Sequence, residues 1–334
     1  MSFSSFNLFD SGTNILVFGK DGQVGRALQN CFADLRISAV FLGRAECDLS
    51  NETSIREALN RYQPHIIINA SAYTAVDQAE SEKDQAFAIN AIAPKVMANY
   101  IANTAKGVLV HFSTDYVYAG DKKTPYVEND PTSPLGQYGK TKLAGEQAIA
   151  EEFKKAKEAD AGIHSPGMTS HATKFSRYFI LRTSWVYGEG NNFIRTMLRL
   201  AQERELLKVI ADQHGVPTSA DWLAQLAIQF AGSRNDSGIY HAVPDGDTSW
   251  HGLAVFAIET ARMAGEGIKV QLENIIPIPA TEYPLPAPRP SNSRMENAKL
   301  KEALSEMAFT GEFPKWQSQV EQYVKQYVKE SLKS

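Results

Sequence analysis

The chain has 334 residues, 43% of them hydrophobic and 22% charged, a globular balance long enough for two modest domains or one domain with an added lobe. A formal net charge of -4 with both signs dispersed gives no electrostatic case for nucleic acid or an anionic membrane surface as partner. Two cysteines, Cys31 and Cys47, exclude a disulfide framework and suit a cytoplasmic location, and no run approaches the roughly 18 apolar residues of a membrane helix.

Residues 1–13 lack both the basic start and the apolar run of a signal peptide and are expected to form a flexible leader. From residue 14 short apolar runs alternate with helical patterns. NILVFG (14–19) predicts a strand, 24–33 a helix, and ISAVFLG (37–43) a second strand. Asn51 is placed to cap a helix reaching about Tyr62, and HIIIN (65–69) is a third apolar run. A long helical stretch broken near Pro94 leads to GVLVHFS (107–113), then come a helix over 137–153 and the strand YFILRTS (178–184). Strands apolar on both faces and separated by helices indicate a parallel sheet covered on both sides.

Residues 154–177 are polar, rich in Gly, Ser, Thr and His, and aperiodic, which predicts a solvated surface insertion. Beyond Ser184, helical patterns at 192–204, 219–230 and 253–264 are separated by short strands and turns. The run PIPATEYPLPAPRP (277–290) is expected to be irregular, either an inert wrap across the surface or a rigid loop facing a ligand. The expected fold is α/β: a Rossmann-type doubly wound parallel sheet over 14–184, and a smaller mixed α/β C-terminal substrate-binding lobe over 185–334. Some segments of that lobe are expected to return to the sheet domain.

Three motifs carry chemistry. Gly19, Gly22 and Gly25 in GKDGQVG leave the first strand and enter the first helix, where glycines permit a tight turn and close approach to a pyrophosphate. The helix start then offers free N–H groups to phosphate. Arg44 follows the second strand, where an arginine pairs with a 2′-phosphate and an acidic residue would bind ribose hydroxyls. NADPH is therefore the expected cofactor and NADH the alternative; a solvated surface arginine is the competing explanation.

The second motif is Tyr138 and Lys142, four apart on one helical face, where a lysine ammonium would lower the phenol's pKa and let it act as acid or base. The third is Thr114-Asp115 at the carboxyl end of a strand, where Thr114 could bond a substrate oxygen beside Tyr138. Each motif occurs by chance elsewhere. Together, in this order and on these elements, they are specific.

With these residues in view, the chain resembles the extended short-chain dehydrogenase/reductases and, among them, the dTDP-4-dehydrorhamnose reductases. The match rests on FGKDGQVG (18–25), NASAYTAVDQAE (69–80), STDYVY (113–118) and SPLGQYGKTKLAGE (133–146). It continues through LRTSWVYG (181–188), GNNFIRTMLRLA (190–201), VIADQHGVPTSADWLA (209–224) and RPSNSRM (289–295). The resemblance implies reduction of a dTDP-4-keto-6-deoxy sugar by NADPH or NADH, with Thr114, Tyr138 and Lys142 as the catalytic triad.

It also implies cofactor contacts at Gly22, Gln23, Val24, Asp48, Leu49, Ser71, Ala72 and Thr74, and places Asp115 and Trp185 on the sugar-nucleotide side. Trp185 taken alone reads as a core aromatic beside the strand 178–184. Asn191, Asn192 and Arg289 are further candidates, as hydrogen-bonding groups and as a guanidinium for the diphosphate.

Some members of the family place Mg²⁺ at a dimer interface through carboxylates, one just after the glycine loop. Here 25–27 reads Gly-Arg-Ala, so no metal site is assigned, and the chain is expected to be a monomer or homodimer. The rival functions are a sugar-nucleotide dehydratase, an epimerase, and a non-catalytic nucleotide-binding subunit like the β subunit of methionine adenosyltransferase. In the dehydratases a glutamate follows the Thr-Asp step, whereas Tyr116 follows it here.

Overall fold

A computed structural model describes residues 9–10, 12–163, 176–307 and 313–332. The first five strands are β1 (Ile15–Phe18), β2 (Val40–Leu42), β3 (Ile66–Asn69), β4 (Val108–Thr114) and β5 (Arg177–Thr183). They are followed by β6 (Val186–Tyr187), β7 (Leu207–Ile210), β8 (His214–Gly215), β9 (Thr218–Ser219), β10 (Gly238–His241), β11 (Thr248–Ser249) and β12 (Ile275–Ile278). Six of them form one parallel sheet in the order β10-β5-β4-β3-β1-β2. Winding reverses at β1, with β2 on one side and β3 and its successors on the other. Such a reversal opens a crevice outside the carboxyl ends of β1 and β3.

The strand runs are apolar on both faces because helices cover both. The helices are α1 (Gln23–Asp34), α2 (Glu52–Tyr62), α3 (Lys83–Phe87), α4 (Ala93–Ala102) and α5 (Gln137–Ile163), then α6 (Phe193–Glu203), α7 (Ala220–Gly232), α8 (Trp250–Met263), α9 (Ala298–Glu306) and α10 (Trp316–Ser331). Val17, Ile68 and Val110 pack with Leu28 of α1, Leu223 of α7 and Leu304 of α9. Their chain neighbours Leu16, Ile67 and Leu109 point the other way, onto Ile55 of α2, Met97 of α4 and Ile149 of α5. A separate core built from Leu198, Val209, Ala257, Val320 and Val324 holds the C-terminal lobe. From the C-terminal half of the chain, β10 joins the sheet, and α7 and α9 pack into the core beneath it.

Asn51 caps α2 as the sequence indicates, its side chain accepting from the backbone N–H of Thr53 at 3.0 Å. Three details differ from expectation. The second strand is only Val40–Leu42. Helix α5 does not stop at Phe153 but continues to Ile163, because the polar residues there form a solvated helix face with i,i+4 pairs such as Lys155–Glu151. The rest of the expected insertion, 164–175, lies outside the described residues, as does most of the leader. Pro277 sits inside β12, which pairs only with β7, an edge position where a missing N–H costs no ladder bond.

Candidate active site

A cleft of about 760 Å³ follows the crevice along the carboxyl edge of the sheet. Its floor is the glycine loop. Gly19 has φ +90, and a Cβ there would lie 2.7 Å from the Ala70 backbone. A Cβ on Gly25 would lie 2.0 Å from the Gly19 carbonyl oxygen, so α1 reaches the sheet this closely only with glycine. Gly22 caps α1 without a side-chain bond, and no acidic residue occupies its first turn. The Gln23 Oε1 is buried without a partner, while Val24, like Gly22 and Gln23, lines the cleft. Helix-start N–H groups with no carboxylate in the first turn fit the diphosphate of a dinucleotide.

Arg44, Asp48 and Leu49 line one end of the cleft, and Ser71, Ala72 and Thr74 line it beyond β3. Asp48 Oδ1 accepts from the Ser50 hydroxyl at 2.7 Å and the Ser50 N–H at 2.9 Å, which together with Arg44 hold its carboxyl below the usual range. Arg44 itself is exposed, so its guanidinium is available to a 2′-phosphate. Arg44→Asp is expected to weaken NADPH roughly ten- to a hundredfold while NADH changes little, as read by titration of both cofactors. Equal loss for the two would reduce Arg44 to a surface charge.

At the other end of the cleft stand Tyr138 and Lys142, with Thr114 beside the phenol. Burial pushes the Tyr138 phenol up to about 12, and the Thr114 side chain opposes that shift. The expected lowering by Lys142 is absent. The lysine Nζ turns inward instead, donating to the Phe112 carbonyl at 2.6 Å and lying 3.2 Å from His111 Nε2. Burial lowers the Lys142 ammonium to about 8, against the pull of Glu146. Tyr138 is thus an acid that keeps its proton across the neutral range, and Lys142 is a group that exchanges protons near it.

The substrate candidates divide. Asp115 is buried next to Thr114, whose hydroxyl donates to its Oδ1 at 2.9 Å, and burial pushes its carboxyl up to about 6. Asn191 is exposed at the cleft rim. Asn192 is engaged elsewhere: it caps α6 through Arg195 N at 3.1 Å and donates to the Gly188 carbonyl and the Tyr323 hydroxyl, each at 2.8 Å. Trp185 adopts φ +47 and stacks on Trp250 at 3.6 Å, so it belongs to an aromatic pair of the C-terminal lobe.

Arg289 forks onto Asp77 at 2.6 and 2.9 Å, while the Ala287 N–H donates to the same carboxylate at 3.0 Å. The guanidinium expected on a diphosphate therefore ties the Pro-rich segment to the turn after β3, and Arg289 is absent from the cleft lining. Arg289→Ala is expected to cost about 1 kcal/mol of stability, the upper range for a partly exposed pair. The check is thermal unfolding beside substrate KM: a strongly raised KM at unchanged stability would put the guanidinium back on the diphosphate.

Sequence reasoning passed over several supports of the site. Asn90 lies in a π-helical turn between α3 and α4, accepting from Tyr73 N at 2.8 Å and donating to the Thr141 hydroxyl at 3.1 Å. It clamps the loop after β3 onto α5. Glu146, one turn after Lys142, forms a buried two-bonded pair with Arg182 at 2.9 and 2.6 Å. His111 was visible as a polar residue inside an apolar strand, a signal with no meaning until its neighbours were known. Arg26 pairs with Glu189 at 3.2 Å beside the glycine loop.

The chain is similar to known proteins over most of its length. A family model described as the RmlD substrate binding domain matches residues 13–157 and 168–329. A dTDP-4-dehydrorhamnose reductase of Shigella flexneri is 42% identical over 312 residues, 91% of this chain and 94% of that protein. Among solved structures, a dTDP-4-dehydrorhamnose reductase of Clostridium acetobutylicum superposes with a TM-score of 0.80 at 31% identity, covering 94% of this chain and 99% of that one. The corresponding enzyme of Bacillus anthracis, solved in complex with NADP, gives 0.76 at 31% identity over 93% and 98% of the two chains. Matches of this identity and extent, on both the sheet domain and the C-terminal lobe, show that the chain belongs to the dTDP-4-dehydrorhamnose reductase family.

Proposed function

We propose that this chain reduces the C4 keto group of dTDP-6-deoxy-L-lyxo-4-hexulose to the alcohol of dTDP-L-rhamnose, the last step of dTDP-rhamnose synthesis, with NADPH as reductant. The observation that carries this reading is the Tyr138 phenol, held protonated at the end of a dinucleotide cleft with Thr114 beside it and Lys142 one turn on. A reduced nicotinamide, when bound, supplies the hydride.

This chain's own residues do the rest. The glycine loop and the start of α1 hold the diphosphate, and Arg44 holds the 2′-phosphate. Tyr138 gives its hydroxyl proton to the C4 oxygen as that oxygen gains charge, so the O–H bond of tyrosine breaks as the O–H bond of the alcohol forms. Lys142, whose ammonium is lowered to about 8 by burial, returns a proton to the phenolate left behind and becomes an amine in doing so. Thr114 and Asp115 bind the sugar, and Asn191 lies on the rim where the nucleotide enters. Two free cysteines suit a cytoplasmic setting, and among the described residues no helix is long and apolar enough to cross a membrane.

The test supplies the dTDP-4-keto sugar with NADPH and follows nicotinamide oxidation together with product identity. Stoichiometric oxidation yielding the L-rhamno alcohol is expected. Binding of the cofactor with no oxidation would make the chain a nucleotide-binding subunit, and a 4-keto sugar returned unreduced in an altered configuration would make it an epimerase.

A further inference from the structure

Lys142 is almost wholly buried, and the groups around it come from three elements. Its own helix offers Tyr138 and Glu146. Strand β4 offers the Phe112 carbonyl and His111, itself 1% exposed. The neighbouring β5 contributes Arg182, but that guanidinium is taken by Glu146. His111 is the one neutral imidazole in this set, since burial holds its pKa well below the ordinary histidine value.

A neutral imidazole carries one proton, and here its position is dictated from the opposite strand. The parallel register sets Asn69, the last residue of β3, against His111. The Ser71 N–H donates to Asn69 Oδ1 at 3.2 Å, and the Ser71 hydroxyl does so at 2.5 Å. A backbone N–H only donates, so the oxygen of the carboxamide must face Ser71 and the nitrogen must face the ring. Asn69 Nδ2 then donates to His111 Nδ1 at 3.0 Å. Nδ1 accepts, and the ring proton is left on Nε2, aimed at Lys142 Nζ 3.2 Å away.

Two donors do not share a hydrogen bond. With Nε2–H fixed, the lysine fits as an amine that accepts from the ring and donates to the Phe112 carbonyl. An ammonium there requires the other tautomer, which in turn requires the Asn69 amide to turn over and release the Ser71 N–H. We propose that His111, locked in its Nε2–H tautomer by Asn69, is a positioning residue for Lys142 that holds Nζ and favours its neutral form. Ser71 lines the cofactor cleft, so the lock also couples the protonation of Lys142 to the cleft wall. Asn69 and His111 do not line the cleft. They act through the lysine.

The proposal rests on the reductase reading only for its kinetic test. The first measurement needs no substrate: ring-nitrogen NMR of His111 in the intact wild-type protein, where a protonated Nε2 with a bare Nδ1 is expected. Protonation at Nδ1 overturns the lock whatever the enzyme reduces. The second is the pH profile of kcat/KM. Loss of one hydrogen bond to the amine in His111→Phe is expected to move the alkaline limb up by about one pH unit. His111→Gln, whose carboxamide can still donate to Nζ, is expected to bring the limb back toward wild type, with substrate KM little changed in both.

Asn69→Asp keeps the acceptor for Ser71 but accepts from Nδ1–H, so it reverses the tautomer and is expected to raise the limb as well. An alkaline limb that moves down in His111→Phe would mean that the ring accepts from an ammonium, one that stays in place would mean that the ring does not act on Lys142, and either result would overturn the proposal. A His111→Phe chain that does not fold leaves the ring-nitrogen measurement to decide.

Discussion

Tyr138→Phe is expected to lower kcat by about 10²–10⁴-fold, the usual worth of a positioned general acid, while NADPH binding stays close to wild type. The phenol sits up at about 12, so in the wild-type protein it is loaded with a proton throughout the neutral range. Phenylalanine keeps the ring and its edge contact with Tyr116, whose centroid lies 5.6 Å away, and removes only the proton and its oxygen. Hydride arriving at a carbonyl with no acid beside it would leave an alkoxide in a buried site. Single-turnover kinetics separate this from a binding defect, because the loss belongs to the chemical step. Activity within a few-fold of wild type would remove Tyr138 from the acid role.

Arg182→Leu is expected to be the most destabilising single change near the site, at about 3–5 kcal/mol, because it strands Glu146 in the core. Both partners are 3% exposed. Glu146 Oε1 also accepts from the Ser113 hydroxyl at 2.5 Å, and Arg182 Nη1 donates to the Tyr118 hydroxyl at 2.6 Å. Tyr118 in turn meets His241 Nε2 at 2.7 Å, and burial lowers that histidine to about 3, so it stays neutral.

The network ties β5, β4 and α5 together one helical turn from Lys142. The double variant Arg182→Leu with Glu146→Leu is expected to regain much of the loss, since removing both charges removes the desolvation penalty. Denaturant unfolding of the two single variants and the double variant measures the coupling. Additive losses would show that the pair contributes through shape rather than charge.

Much of the site was legible in the sequence because its parts are local. The tight turn of GKDGQVG needs glycine for reasons contained within a few residues, as Gly19 and Gly25 show. Asn51 caps α2 through its own next turn. Tyr138 and Lys142 share a face because a helix repeats every 3.6 residues. The parallel sheet followed from apolar runs alternating with helices, and β1, β3 and β4 are buried along their whole lengths.

Two segments depart from expectation because composition alone does not separate the alternatives. The polar composition after Phe153 matched a loop, yet a solvated helix has the same composition. The proline run matched irregular chain, yet Pro277 takes an edge strand against β7.

The sequence alone therefore determined the doubly wound architecture, the glycine turn and the shared helical face of Tyr138 and Lys142, matters of period, spacing and local backbone geometry, while the family followed from resemblance along whole segments of the chain. Tertiary structure alone decided how those groups are charged and held. It turned Lys142 away from the phenol onto Phe112 and His111, set Asn69 opposite His111 through the β3–β4 register, and gave Arg289 to Asp77. The reason is physical. A pKa or a tautomer depends on burial and on partners brought together by strand order, and strand order joins residues that no local pattern relates.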